Sequence, residues 1–237
     1  MSESALPGGF VNTSVRVGNT VRRHPAPSSP FTHRLLTLLE RAAWNGAPRL
    51  LGTDHRGRGA WEKAQPPAVT SDESLTRIAQ LVREFHDLTA ATALAGNEEV
   101  VCHNDLSPKN TVYQDQGAGL RPVAFIDWDL AAPGRRIHDI AHVCWQYIGL
   151  GPNIADIGQA AQQLRLICDA YGLPNRHELI NMILWWQDRC WRGITAAATA
   201  GNPAMTRLRD AGAVDEVQAA HAWVKQHHTE LASHLMP

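Results

Sequence analysis

The segment Val100-Val-Cys-His103-Asn-Asp105-Leu-Ser-Pro-Lys109-Asn110, followed after a turn-rich gap by Val123-Ala-Phe-Ile-Asp127-Trp-Asp129-Leu-Ala-Ala-Pro133, decides how the rest of the chain is read. Chemically it is two short apolar strands, each delivering carboxylates at its end. Asp105 follows Val100 and Val101, and Asp127 and Asp129 follow the run from Val123 to Ile126. Between them, Asn110 opens a further apolar run, Thr111-Val112-Tyr113, and Gln116-Gly-Ala-Gly119 supplies the turn of a hairpin.

Carboxylates beside buried strands are costly unless they are paired, hydrogen-bonded or bound to metal. Acids and an amide converging on one point suit Mg²⁺, a hard cation that takes oxygen ligands and keeps waters for substrate phosphates. The spacing His-x-Asp-x-x-x-x-Asn, with an Asp on the following strand, is the layout of a kinase catalytic loop and its metal-binding acid. Here the residues are His103, Asp105, Asn110 and Asp127.

His103-Asn-Asp-Leu-Ser-Pro-Lys-Asn110 together with Phe125-Ile-Asp-Trp-Asp129 resembles the aminoglycoside phosphotransferase-like and choline kinase-like families, which share the protein-kinase-like fold. The Asp-Phe-Gly triplet of protein kinases is absent, and the Ile-Asp-Trp-Asp form points to small-molecule kinases. The resemblance implies an α+β bilobal protein-kinase-like fold. It would have a reduced β-rich nucleotide-binding lobe over residues 1–66 and a mainly helical catalytic and acceptor-binding lobe over 67–237. It also implies ATP or GTP as phosphoryl donor and Mg²⁺ as the metal. Asp105 is then the base that orients the acceptor hydroxyl, Asn110 and Asp127 hold the metal, and Asp129 assists through water. His103, a catalytic candidate beside Asp105, braces the loop backbone or shuttles protons, Pro108 stiffens the loop, and Lys109 reaches either phosphate or solvent.

Towards the N-terminus, Val15-Arg-Val17, a Gly18-Asn19 turn and Val21-Arg22-Arg23 alternate as a hairpin. In the resembling family this strand carries a lysine for the nucleotide phosphates. Here Arg22 or Arg23 takes its place, and period-2 parity with Val21 favours Arg23. Ser29 and Pro30 read as a helix start, with Leu35, Leu36, Leu38, Leu39 and Ala42 as its apolar stripe and Gly46 to Pro48 as its end. The resemblance places on this helix an acid, Glu40, that pairs the phosphate-binding base. Strands are expected over Pro48 to Leu51 and around Trp61, joined by a turn at Asp54 to Gly57. The hinge-like segment Trp61 to Pro67 is polar and proline-rich rather than apolar.

Thr70-Ser-Asp-Glu73 reads as a capping box before a helix with Leu75, Ile78, Ala79, Val82 and Phe85 on one face. From Asp139 onward helices are expected over 140–150, 154–171, 177–198 and 214–235, broken at Gly172 to Pro174 and Gly201 to Pro203. Trp185, Trp186, Trp191 and Trp223 read mostly as core, with some lining an acceptor pocket. Two rival functions remain open. The absent lysine and the polar hinge fit a catalytically silent nucleotide- or ligand-binding relative. His138-Asp139 with His142 at i+4 fits a metal-dependent phosphohydrolase.

Composition narrows the partners. With 22 basic and 23 acidic residues in 237, the net charge of −1 gives no field that draws nucleic acid or an anionic membrane. No apolar run approaches a membrane span, and Met1 to Gly9 has neither the basic nor the apolar part of a secretory signal. The four cysteines (Cys102, Cys144, Cys168, Cys190) show no paired spacing, as for buried thiols in the cytoplasm. From 140 to 237, eight acids stand against seven bases beside five tryptophans, so the expected acceptor is a small molecule that is not a polycation.

Overall fold

The computed structural model describes residues 3–5, 14–17, 20–23, 28–50, 71–115 and 119–235, the first three of these segments as backbone only. The chain divides into two compact units, residues 1–68 with 81–136, and residues 69–80 with 137–237. This division by compactness differs from a cut after residue 66. Residues 81–136 pack with 1–68 because Trp44, Phe85 and Trp128 share one aromatic core, with Phe85 and Trp128 at 4.9 Å between centroids and Trp44 stacked on Phe85 at 6.0 Å.

In the first unit, strands β1 (Glu3–Ala5), β2 (Ser14–Val17) and β3 (Thr20–Arg23) form an antiparallel sheet in that order. The expected hairpin is the β2–β3 pair, in which Arg22 lies opposite Val15 and Arg23 opposite Ser14. Strand β1 adds to it although its sequence, Glu-Ser-Ala, carries no β signal. The Gly18-Asn19 turn lies outside the described residues.

Helix α1 (Ser29–Arg41) starts one residue earlier than expected, with Ser29 already helical ahead of Pro30, and the cap position is Ser28, whose side chain makes no capping bond. Leu35, Leu36 and Leu39 are buried, whereas Leu38 is half-buried and Ala42 exposed. The helix ends sooner than the glycine would suggest, because Ala43 turns into the left-handed region at φ 54°. Residues 48–50 form no strand. Pro48 has no N–H to give to a ladder. Leu51, the turn at 54–57, Trp61 and the hinge-like segment lie outside the described residues.

Helix α2 (Asp72–Thr89) carries the expected stripe, with Leu75, Ile78, Ala79, Val82 and Phe85 all fully buried. Burial of this kind contributes roughly 1.5–3 kcal/mol per large side chain. Its cap is one residue later than read from sequence. Ser71 Oγ accepts from the Ser74 N–H at 3.2 Å, which makes Ser71 the capping residue, and Thr70 lies outside the described residues. At the other end, Thr89 Oγ1 accepts from the Val101 N–H at 3.2 Å, tying α2 to strand β4 (Val100–Cys102).

Strands β5 (Thr111–Asp115) and β6 (Leu120–Phe125) form the expected hairpin, its turn at 116–118 lying outside the described residues. A register shift at Val112/Tyr113 leaves Tyr113 opposite Pro122, which is where a residue without an N–H is tolerated. Strand β7 (Ala132–Gly134) was not read from sequence. It pairs with β4 through Ala132, Pro133 and Gly134.

The second unit is helical: α3 (Arg136–Ile148, its first residue counted with the first unit), α4 (Ile157–Tyr171), α5 (Leu179–Thr199), α6 (Pro203–Asp210), α7 (Ala213–Gln226) and α8 (His228–Ser233). Helix α4 is bounded as its ends dictate. Asp156 accepts from the Gln159 N–H at 3.0 Å, and Gly172 closes the helix at φ 75°. The Gly201-Asn-Pro203 break is also the start of α6, since Asn202 Oδ1 caps Ala204 and Met205 and Pro203 takes the first turn. The single helix expected over 214–235 is two. They part at His227, whose ring lies 2.9 Å from the carbonyl of Trp223. Of the four tryptophans read mostly as core, only Trp186 is buried; Trp185 is 43% exposed, and Trp191 and Trp223 are half-buried. Among the described residues no helix is long and apolar enough to cross a membrane.

Candidate active site

The site is built on two turns that leave β4 and β6. After Cys102 the chain passes His103, reverses at Asn104 in the left-handed region (φ 64°) and reaches Asp105. A short 3-10 turn at Pro108–Asn110 then feeds β5. After Phe125 the second chain segment passes Ile126 and enters the left-handed region at Asp127 (φ 67°, ψ 59°). It continues as a 3-10 turn, Trp128–Leu130. A non-glycine residue in that region is uncommon, and Asn and Asp are the side chains that tolerate it best. Both turns therefore spend their permissive residue at the point where a functional side chain leaves the strand.

Hydrogen bonds fix the turns to each other. Asn110 is buried, and its amide nitrogen donates to Asp105 twice, to the carboxylate Oδ2 at 2.7 Å and to the backbone oxygen at 2.8 Å. The Asn110 carbonyl accepts from the Ile126 N–H at 2.9 Å, which continues the β5–β6 ladder and puts Asn110 beside the residue preceding Asp127. With its nitrogen committed to Asp105, the Asn110 side chain has its oxygen to offer a cation. Asp127 follows one residue beyond the ladder bond. An amide oxygen and a carboxylate are the hard donors Mg²⁺ prefers, so the residues present fit that ion.

His103 is fully buried. The Asp105 N–H donates to its Nδ1 at 3.3 Å, and its Nε2 lies 3.1 Å from the Ile126 carbonyl. An accepting Nδ1 requires the tautomer protonated at Nε2, which then donates to Ile126. The ring also packs at 4.5 Å from Trp128, whose own Nε1–H donates to the Phe125 carbonyl at 3.0 Å.

The remaining candidates are less tightly grouped. Lys109 is exposed, and Asp129 is half-buried in the turn after Asp127. Glu40 sits on the surface of α1 and is bonded to Arg49, whose Nε and second guanidinium nitrogen both lie 3.0 Å from Oε1. The side chains of Arg22 and Arg23 lie outside the described residues. His138 and His142 are packed in an aromatic cluster, His138 at 5.3 Å from Trp185 and His142 at 4.9 Å from Trp186. Among the described residues neither joins a group of three side chains able to hold a metal.

Sequence reading passed over three contributors to this geometry. Thr32 of α1 donates from Oγ1 to the Trp128 carbonyl at 3.3 Å, and Asn104 donates from Nδ2 to the Leu130 carbonyl at 3.0 Å. Gly46 accepts from the Phe125 N–H at 2.8 Å through its carbonyl. Only Asn104 left a signal, as an asparagine between two functional residues where a tight reversal is needed.

Three comparisons bear on this constellation. Residues 5–179 match the model of the phosphotransferase enzyme family, APH. A trifolitoxin immunity protein of Rhizobium leguminosarum bv. trifolii is 30% identical over 205 residues, covering 73% of this chain and 76% of its own. Among solved structures, the complex of gentamicin with APH(2'')-IIa superposes with a TM-score of 0.60 at 12% identity, covering 94% of this chain and 93% of the other. The macrolide 2'-phosphotransferase MphH of Brachybacterium faecium gives 0.56 at 13% identity, covering 90% and 92%. At such identities the structural likeness shows the α+β protein-kinase-like fold, and the family match carries the rest. The chain belongs to the phosphotransferase enzyme family, whose small-molecule kinases the loop from His103 to Asn110 resembles.

Proposed function

We propose that this protein transfers the γ-phosphoryl group of ATP or GTP to a hydroxyl of a small molecule, with Asp105 as base and Asn110 and Asp127 as the Mg²⁺ ligands. The observation that carries the proposal is the double hydrogen bond from the Asn110 amide to Asp105. It holds Oδ2 and leaves Oδ1 of the carboxylate for the acceptor hydroxyl. As the hydroxyl oxygen forms its bond to phosphorus, its proton passes to Asp105 and the nucleoside diphosphate leaves with the electron pair of the broken P–O bond. When bound, Mg²⁺ supplies charge that offsets the charge gathering on the phosphates. His103 keeps Asp105 at its distance from Asp127 by bonding to both loops. Its neutral tautomer, with both ring nitrogens in backbone bonds, makes it a positioning residue.

Thermal shift tests this reading. Mg²⁺ and a nucleoside triphosphate should stabilise the protein together and far less singly, and Asp127→Asn should abolish the joint effect. Asp105→Ala should leave that shift nearly intact but lower turnover by about a hundredfold or more. A joint shift without turnover on any acceptor would favour the catalytically silent relative. No joint shift at all would remove the proposal.

The 30% identity to an immunity protein supports a second reading of the biological role, in which the acceptor is a toxin and its phosphorylation protects the cell. Expression of this chain in a sensitive host should then raise the tolerated toxin dose, and Asp105→Ala should cancel the gain.

A further inference from the structure

We infer that Asn104 is a positioning residue for the metal-binding turn, acting through its side-chain amide on Leu130; the inference rests on the proposed roles of Asn110 and Asp127. Between Ile126 and Leu130 the chain carries both carboxylates of the turn, Asp127 and Asp129. His103 takes the carbonyl before them, that of Ile126, at 3.1 Å. Asn104 takes the carbonyl after them, that of Leu130, at 3.0 Å. Consecutive residues of the catalytic loop thus hold the two ends of the turn, and Asp105 follows immediately. Without the Asn104 bond the loop would hold the turn through His103 alone, at the Ile126 carbonyl and against the Trp128 ring. The far end would be fixed from Ala132 onward by the β4–β7 pairing, so Leu130 could shift and Asp127 would be held less firmly.

The conformation of Asn104 makes the amide separable from the backbone. At φ 64° an alanine would be strained, whereas a glycine adopts the same angles freely. Asn104→Gly therefore removes the bond to Leu130 and spares the backbone, while Asn104→Ala removes the bond and adds strain. Both variants should raise the Mg²⁺ concentration for half-maximal thermal shift, at saturating ATP or GTP, by about tenfold, the lower end for loss of a partner that orients a metal ligand. Asn104→Ala, which adds backbone strain to the lost bond, should lower the melting temperature of the metal-free protein more than Asn104→Gly does.

A second readout needs no metal. The Ala131 N–H bonds to the Trp128 carbonyl at 3.1 Å within the turn, so its amide should exchange faster with deuterium in Asn104→Gly than in the wild type. The Ile126 amide, held by Asn110 at 2.9 Å, should exchange as before. A wild-type Mg²⁺ midpoint in Asn104→Gly would overturn the inference, and so would unchanged exchange at Ala131. Were the wild type itself to show no joint Mg²⁺–nucleotide shift while Ala131 still lost protection in the variant, the phosphotransfer reading would fall. The tether would then stand as a purely mechanical one.

Discussion

At the scale of single residues, His103 shows how geometry separates a brace from a base. A histidine two positions before the proposed base invites a proton-transfer role, and the sequence reading kept it among the catalytic candidates. Its burial, its contacts to Asp105 and Ile126 and its packing on Trp128 favour structural work for the ring instead. His103→Ala should therefore cost about 2–4 kcal/mol of stability, through a cavity and two unpaired backbone groups. Assayed where the variant is still folded, its turnover should fall less than that of Asp105→Ala. A loss equal to that of Asp105→Ala, with the melting temperature unchanged, would make the histidine a proton carrier. Asp105, Asn110 and Asp127 could be proposed from sequence because oxygen ligands at fixed spacing are a chemical pattern, and the Asn110 amide brings two of them into contact. Asn104 left only the signal of an asparagine at a tight reversal, and its partner, a backbone carbonyl 26 positions away, left none.

At the scale of elements, legibility followed periodicity. Helix α2 was readable because one face is apolar at the right period, and the structure buries that face, while the β5–β6 hairpin was readable from apolar runs on either side of a glycine turn. β1, β7 and α6 were not: Glu-Ser-Ala and Ala-Pro-Gly become strands only because β2 and β4 lie beside them. Helix α6 hides behind a glycine-proline pair that marks a start as well as a stop. Gly46 is a further element-scale feature that no pattern announces. A Cβ there would lie 2.1 Å from the Trp44 ring. That ring cannot easily yield, since it stacks on Phe85, meets Trp128 edge-on at 6.4 Å and donates from Nε1 to Glu84 at 2.8 Å. Gly46→Ala should cost about 1–3 kcal/mol, as overpacking does. It should also disturb the Phe125 bond at the base of the proposed metal-binding turn. Denaturant unfolding followed by tryptophan fluorescence would measure the first effect. An unchanged midpoint would show that the Trp44 ring has room to move.

At the scale of the whole molecule, the question is what kind of acceptor the helical part of the chain can attract. An enzyme acting on a polycation needs a surplus of carboxylates, because unlike charge concentrates the substrate and like charge repels it. From 140 to 237 the acids number eight and the bases seven. Side-chain pairing leaves that balance even, since each pair cancels one acid against one base. Asp169 is bonded to Arg176 at 2.6 Å, and Asp188 to Arg192 at 2.8 Å. The aromatic surface of α5 carries guanidinium groups of its own, Arg189 at 5.4 Å over Trp185 and Arg192 at 4.4 Å over Trp191. Tryptophans read from sequence as core are thus partly exposed, with cations on their faces, and such a surface suits a neutral or weakly charged molecule with an apolar or ring-shaped body. Amphipathic spacing could not reveal this, since Trp185 and Trp186 are adjacent in sequence and only the fold decides which is covered. Release of ADP or GDP should be measured across aminoglycosides, macrolides, sugars, amino alcohols and nucleosides. The expected result is turnover confined to neutral or singly charged acceptors, with a rate nearly independent of salt. Efficient turnover of a kanamycin-like polycation, falling steeply as ionic strength rises, would mean that carboxylates gather at the acceptor side in spite of the even balance.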